Sequence, residues 1–219
     1  MIVIICAMDK ELEGLKNAMS ERREVQTHGF KFYCGMLEEK ETAVCCCGVG
    51  KVCAAAATAT AIERFSPEIV INSGVAGGVF PLKQGDVVIA ERAAEHDYYD
   101  PTEKTVFYSA DRELVRMTAA VCSEENIAFS TGTVATGDQF IDKTEKVREL
   151  SVKYGAIAFD METAAIMKVC FLTGVRCLCT RAVSDNGEDN NLKTFYEFLS
   201  EAADRSAFVT KKLLKLLKL

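Results

Sequence analysis

The chain predicts an α/β fold of three layers, a central mixed, mainly parallel twisted sheet between two layers of helices. Two observations carry this. Short β-rich runs alternate along the chain with segments of helical periodicity, the pattern of strand–helix–strand units. The strands are continuous apolar runs such as Ile2-Val3-Ile4-Ile5-Cys6 rather than alternating ones, so they are buried on both faces. A third observation says where such a sheet would act. Acids and glycines follow the strands directly, as in Arg181-Ala182-Val183-Ser184-Asp185, and open α/β sheets bind ligands beyond the carboxyl ends of their strands. An acid where a buried strand opens into a loop is poised to handle a proton.

The elements follow in order. Residues 2–6 read as a strand and 10–19 as a helix. Residues 30–36 and 41–47 form a hairpin that turns at 37–40. Gly48-Val49-Gly50-Lys51 then opens an alanine-rich helix over 52–64. A strand at 69–72 runs into a glycine-rich turn at 74–78, and another strand spans 86–93. Residues 112–125 read as helix, 128–135 as strand and 144–154 as helix. A strand at 156–159 leads into a helix over 161–172. The last strand is 176–182 and the final helix 192–217. No repeat or linker interrupts them, so residues 1–219 are expected to form one domain.

Composition excludes several classes of function. With 49% hydrophobic residues the chain can bury a substantial core. A net charge of −6 argues against a general nucleic-acid binder, which needs a basic face. Ten cysteines invite a disulfide reading, but Cys45, Cys46 and Cys47 are consecutive, and others sit within apolar runs. They read as small buried hydrophobes in a reducing compartment. No CxxC pair occurs and there are only two histidines, so a zinc site is not expected. The N-terminus lacks a basic region and no apolar run is long enough to span a bilayer, so the expected location is cytoplasmic. The basic, leucine-rich end of the final helix reads as a core-facing stripe with lysines at the negative helix end, not a membrane anchor.

Each candidate motif has a plainer reading beside the functional one. Gly48-Val49-Gly50-Lys51 lacks the full spacing of a nucleotide loop and serves equally as a strand-to-helix turn. Asn72-Ser73-Gly74-Val75-Ala76-Gly77-Gly78 reads either as a mobile loop with no ligand or, since it leaves little side-chain bulk, as backbone against which a base or sugar could lie. Asp160 and Glu162 stand at a helix start, where the dipole alone would favour either acid. Glu162 as a carboxylate could also accept from a pair of ribose hydroxyls. Glu11 reads as a first-turn acid or a base, and Arg181 as a carboxylate's structural partner or a catalytic cation.

Taken together, these segments resemble the methylthioadenosine/S-adenosylhomocysteine nucleosidases, within the purine nucleoside phosphorylase superfamily. The matching pieces are Ala7-Met8 with Glu11, the two glycine motifs, Thr136-Gly137-Asp138-Gln139-Phe140-Ile141, Asp160-Met161-Glu162-Thr163-Ala164-Ala165, Arg181 to Asp185, and Thr194-Phe195-Tyr196-Glu197-Phe198-Leu199. They keep the family's order over nearly the whole chain. The resemblance implies a phosphorylase/nucleosidase-like fold, a nucleoside substrate, a homodimer, a place in methionine salvage, and neither metal nor organic cofactor.

It also implies roles. Asp185, beside Ser184, resembles the acid that serves N7 of the purine. Glu11 resembles the base for an attacking water, with Arg181 nearby. Met161 and Glu162 resemble the ribose contacts. Phe140 resembles the residue that stacks on adenine, and the backbone of Ile141 the one that reads its edge. Met8, Val49 and Phe195 resemble the apolar lining for the 5′ substituent. Val75, Ala76 and Gly77 resemble the stretch against which substrate lies.

An acid on one side of the glycosidic bond and a base on the other is the division of labour of inverting glycosidases. The acid needs a raised pKa, which burial can supply. Two departures stand out. Val75 occupies a position where the family usually has serine, and the segment His96-Asp97-Tyr98-Tyr99-Asp100-Pro101 differs from the family's usual one after His-Asp. The alternatives are a phosphorylase, a hydrolase for futalosine or a plain purine nucleoside, and a non-catalytic nucleoside-binding protein. A phosphorylase would usually carry an arginine-bearing loop after the first strand, where this chain has Asp9-Lys10-Glu11.

Overall fold

A computed structural model describes residues 1–99, 101, 104–185 and 191–218. Asp100 lies outside the described residues. The apolar runs become the centre of a ten-stranded mixed sheet. Strand β1 (Ile2–Cys6) lies between β4 (Lys40–Cys46) and β5 (Ile69–Gly78), parallel to both. Antiparallel β3 (Phe30–Leu37) and β2 (Ser20–Thr27) extend the sheet beyond β4. On its other side β5 pairs in parallel with β10 (Arg176–Asp185). From β10 the ladder passes to β6 (Val87–Glu95), β8 (Phe129–Thr136) and β9 (Ala156–Asp160). It then returns to β5, because Gly77 and Gly78 pair with Phe159 and Ala158. Five strands therefore close on themselves, and β1–β4 form an open wing. The short β7 (Tyr108–Ser109) borders β6.

Helices cover both faces. Helices α1 (Asp9–Lys16) and α3 (Arg112–Glu124) pack on α6 (Asn191–Leu216), which lies against β5 and β10. Helix α2 (Lys51–Phe65) packs on α5 (Thr163–Thr173), and α4 (Thr144–Tyr154) lies on β8 and β9. The core takes nearly all of β1 together with Val70, Ile71, Val87, Val88, Ile89 and Leu178. Helix α6 buries Val209, Leu213 and Leu214, Leu217 just past its end is buried too, and Lys212 and Lys215 pair with Glu125 and Glu38. All ten cysteines are free thiols, and all but Cys46 and Cys53 are buried. Among the described residues, no helix is long and apolar enough to cross a membrane.

Three expectations are corrected. The helix expected to reach residue 19 stops at Lys16, and β2 follows it. That strand is almost wholly exposed, so it carries no apolar alternation to betray it. The glycine-rich segment 74–78 is strand, not turn, because β9 and β10 supply ladder partners along it. Helix α5 starts at Thr163 rather than 161, since Glu162 is its N-cap, with φ of −132°.

Candidate active site

Two neighbouring strands bring the chemistry together. In the β5–β10 ladder Arg181 faces Gly74 and Asp185 faces Gly77. A register shift between Val183 and Asp185 places an extra residue, Ser184, on β10. Such bulges re-aim the side chains beside them. Gly74 and Gly77 are three residues apart on β5, so the two groups are separated by about 10 Å along the strand.

At the Gly74 end, Arg181 is fully buried. Its Nη2 reaches Asp160 Oδ2 at 2.6 Å, Asn72 Oδ1 at 2.6 Å and Glu162 Oε2 at 3.3 Å. Nη1 lies 3.9 Å from Glu11 Oε1 and has no hydrogen-bond acceptor among the described residues. A buried guanidinium donor seldom stays unmatched.

Glu11 projects from the first turn of α1 into the sheet. Its Oε2 accepts from the backbone N–H of Ala7 (2.8 Å) and Met8 (2.9 Å), and its Oε1 from that of Val75 (2.9 Å). The helix-capping reading is thus correct as far as it goes, since Glu11 holds N–H groups at the helix start. Yet it is only 2% exposed and ties α1 to β5. Burial pushes its pKa up, against the lowering pull of Arg181 and those three N–H groups.

Gly74 makes this meeting sterically possible. A Cβ there would overlap both Arg181 Nη1 and Glu11 Oε1. Glu162 closes the group. Its Oε1 accepts from the Gly50 N–H at 2.9 Å, with Gly50 at φ +100°, where side-chain-bearing residues are strained. Burial pushes the Glu162 carboxyl up to about 7; Arg181 and the Gly50 N–H oppose the rise and Asp160 adds to it. Three buried carboxylates thus share one guanidinium, and the surplus of negative charge suits a cationic centre beside them.

At the Gly77 end, Asp185 is 2% exposed. Ser184 Oγ lies 3.0 Å from Asp185 Oδ2 and 3.3 Å from the Ala76 carbonyl, so its one proton serves either acceptor. A narrow cavity of about 40 Å³ joins Asp185 and Gly77 to Phe140, Ile141 and Met161. Phe140, 40% exposed and one of its lining residues, meets Phe195 edge-on at 5.5 Å. Beyond it, Met8 and Phe195 pack on Val75, Ala182, Ala202 and Ala203 as an apolar wall. Among the described residues, no cluster of three His, Cys, Asp or Glu side chains is placed to hold a metal ion.

The chain matches the phosphorylase superfamily over residues 1–215. It is 36% identical over 217 residues to the 5′-methylthioadenosine/S-adenosylhomocysteine nucleosidase of Oceanobacillus iheyensis, covering 94% of this chain and 95% of that one. The family is settled by these matches. The chain belongs to the methylthioadenosine/S-adenosylhomocysteine nucleosidases.

Within that family its fold is close to the Neisseria meningitidis nucleosidase in complex with methylthio-immucillin-A, with a TM-score of 0.94, 33% identity and 99% of each chain covered. It is also close to the futalosine hydrolase of Helicobacter pylori, with a TM-score of 0.93, 30% identity, and 99% of this chain and 97% of that one covered.

The structure gathers most of the residues that the nucleosidase motifs pointed to. Glu11, Glu162 and Arg181 meet at one end of β5, and Asp185, Phe140, Ile141 and Met161 at the other. Val49 is the exception. It is 51% exposed at the start of α2 and joins no apolar cluster. In the Gly48–Lys51 turn that carries it, the Gly50 and Lys51 N–H groups go to acids instead. Asp160 and Asn72 were missed as the partners that aim Arg181. Both lie inside motifs already singled out, but a partner brought in from 109 residues away leaves no local trace.

Proposed function

We propose that this protein hydrolyses the N-glycosidic bond of 5′-methylthioadenosine and S-adenosylhomocysteine, releasing adenine and the 5-thio-substituted ribose. One observation carries the reading. A buried acid at Gly77 and a carboxylate–guanidinium pair at Gly74 stand about 10 Å apart along β5, an acid and a base on opposite sides of a site, as inverting glycosidases need.

In this reading adenine lies against Phe140, its edge read by the Ile141 backbone. Asp185 donates its proton to N7. The C1′–N9 bond breaks, its electron pair leaves with the neutral base, and the sugar becomes oxocarbenium-like. Arg181 Nη1 and Glu11 hold a water. Its oxygen bonds to C1′ while Glu11 takes the proton, the usual work of a general base. Glu162 accepts from the ribose hydroxyls beside Met161, and its charge favours the developing cation. Met8 and Phe195 line the 5′ substituent, with Val49 at the entrance. Val75, Ala76 and Gly77 form the floor under the sugar.

Water suits this site better than phosphate. Glu11, Asp160 and Glu162 surround Arg181, and a phosphate dianion placed there would meet their repulsion. We further assign the chain one catalytic domain over 1–219, acting in the cytoplasm as a homodimer on a small nucleoside. Incubation with methylthioadenosine in phosphate-free buffer is expected to yield free adenine. Turnover that depends wholly on added phosphate would replace the hydrolase with a phosphorylase. A second reading, futalosine hydrolysis, draws on the similar Helicobacter pylori fold. A substrate panel scored for released base separates the two.

A further inference from the structure

The turn before α2 and the loop between β8 and α4 lie beside the carboxylate group, yet the proposed chemistry leaves their charged residues without a task. Asp138 Oδ1 accepts the backbone N–H of Lys51 at 2.8 Å. The backbone N–H of Asp138 is given to Asp97 Oδ2 at 2.8 Å. Lys51 Nζ closes the circuit, 2.5 Å from Asp97 Oδ1 and 3.3 Å from Glu95 Oε1. Lys168 Nζ braces Glu95 from α5 at 2.9 Å. The Lys51, Asp97 and Glu95 side chains are only 16%, 18% and 14% exposed, so solvent screens them less than it does ordinary surface pairs.

The placement of this circuit gives it meaning. The loop that Asp138 opens carries Phe140 and Ile141, the proposed base contacts. Consecutive N–H groups at the start of α2 go to two different acids, that of Gly50 to Glu162 and that of Lys51 to Asp138. Asp138 Oδ1 sits 3.0 Å from where a Cβ on Gly50 would be, so the loop rests on the helix end itself. The base-side loop and the sugar-side carboxylate are thus referred to one rigid point.

We propose that Lys51, Asp97 and Asp138 form an ionic clamp that positions the base-stacking loop relative to Glu162, with the Asp138 side chain as its latch. None of the three needs to touch substrate; they are positioning residues. The assignment of Phe140, Ile141 and Glu162 to base and sugar rests on the function proposed above. The mechanical coupling does not.

Two arms test the clamp. The first is amide hydrogen exchange of the whole protein without substrate, comparing wild type with Asp138→Ala and Asp138→Asn. Alanine removes the acceptor, whereas asparagine keeps a side-chain oxygen for the Lys51 N–H. Exchange across residues 137–143 and 50–52 should quicken about tenfold in the alanine variant, the worth of a charge-assisted hydrogen bond. It should stay near wild type in the asparagine variant, with α3 unchanged in all three.

The second arm is steady-state kinetics on methylthioadenosine. Asp138→Ala should raise KM about tenfold while kcat moves less, and asparagine should restore most of the loss. If Asp138→Ala fails to fold, Lys51→Met breaks the same circuit and should quicken exchange in the same segments. Wild-type exchange in the alanine variant overturns the clamp whatever the substrate is. An asparagine variant as impaired in KM as the alanine one also overturns it. A wild-type enzyme that releases no adenine, with exchange behaving as described, counts against the proposed reaction and not against the clamp.

Discussion

Arg181 is fully buried, Glu11 and Asp185 are 2% exposed and Glu162 is 4% exposed. Among the outer residues assigned to substrate the figures reverse: Phe140 is 40% exposed and Val49 51%. The floor is held by strand ladders and charge-assisted hydrogen bonds, the rim by edge contacts between rings such as Phe140 and Phe195. The difference divides the work. Groups proposed to meet the transition state are fixed before substrate arrives. Groups that only choose and hold substrate can be left free to adapt. Substitutions in the floor should therefore act on kcat, and substitutions at the rim on KM.

The largest effects belong to the proton-transfer pair. Asp185→Asn removes the proposed donor and Glu11→Gln the proposed base, and each should lower kcat by about 10²–10⁴-fold. KM should change little, because neither loss alters the apolar contacts. A kcat within tenfold of wild type in either variant would move that residue out of the chemistry. Gly74→Ala follows closely. Its methyl must displace Arg181 or Glu11, so kcat should fall about 10²–10³-fold, as when a preorganised donor is lost. Its melting temperature should drop as well, which Asp185→Asn need not share.

The floor should also announce itself in the pH profile. Burial raises both Glu11 and Glu162, the latter to about 7. Both must be ionised to act in the proposed mechanism, so kcat/KM should fall as pH falls through the neutral range. An acid limb in the ordinary carboxylate range, near pH 4–5, would mean that neither raised group governs turnover. Stability carries the opposite sign. A carboxyl whose folded pKa is raised favours folding while protonated. Wild type should thus lose stability relative to Glu162→Gln as pH climbs from about 4.5 to about 7.

The rim prediction is smaller. Phe140→Ala should weaken substrate by about 1–3 kcal/mol, the usual worth of a stacked base. The loss should appear in KM. A fall in kcat of the same size would place Phe140 with the floor and erase the distinction.

The floor was also the more legible region in the sequence. Glu11, Glu162, Arg181 and Asp185 stand beside buried strands in short motifs whose residue types suit acid–base chemistry. Burial on both faces makes those strands unmistakable. What sequence left out was long-range. The closing of β9 onto β5, the tying of Asp160 and Asn72 to Arg181, and the continuation of β5 through its glycines all depend on partners far along the chain. Exposed β2 was lost because it has no apolar face to read. Val49 is the least legible of the expected contacts, being 51% exposed and in no apolar cluster. The family resemblance implied a wall there, and nothing local says whether an exposed side chain faces a ligand or solvent.

Val75 lies on the border between the two regions and should give the smallest change in activity. Its backbone N–H holds Glu11 Oε1, while its side chain packs with Met8 and Phe195. Val75→Ser keeps the N–H and adds a hydroxyl close to the proposed water. If the backbone contact is what orients Glu11, kcat should stay within about threefold, far less than loss of a general base would cost. The cost should fall on packing. Exchanging buried methyls for a hydroxyl in an apolar cluster is worth about 1–3 kcal/mol. In a chain of this size each kcal/mol corresponds to about 2–4 °C of melting temperature. A Val75→Ser variant that melts lower yet turns over normally would place the water site in Glu11 and Arg181 alone. A tenfold gain in kcat would show that a hydroxyl completes that site, and the floor would then extend one residue further along β5 than its buried charges mark out.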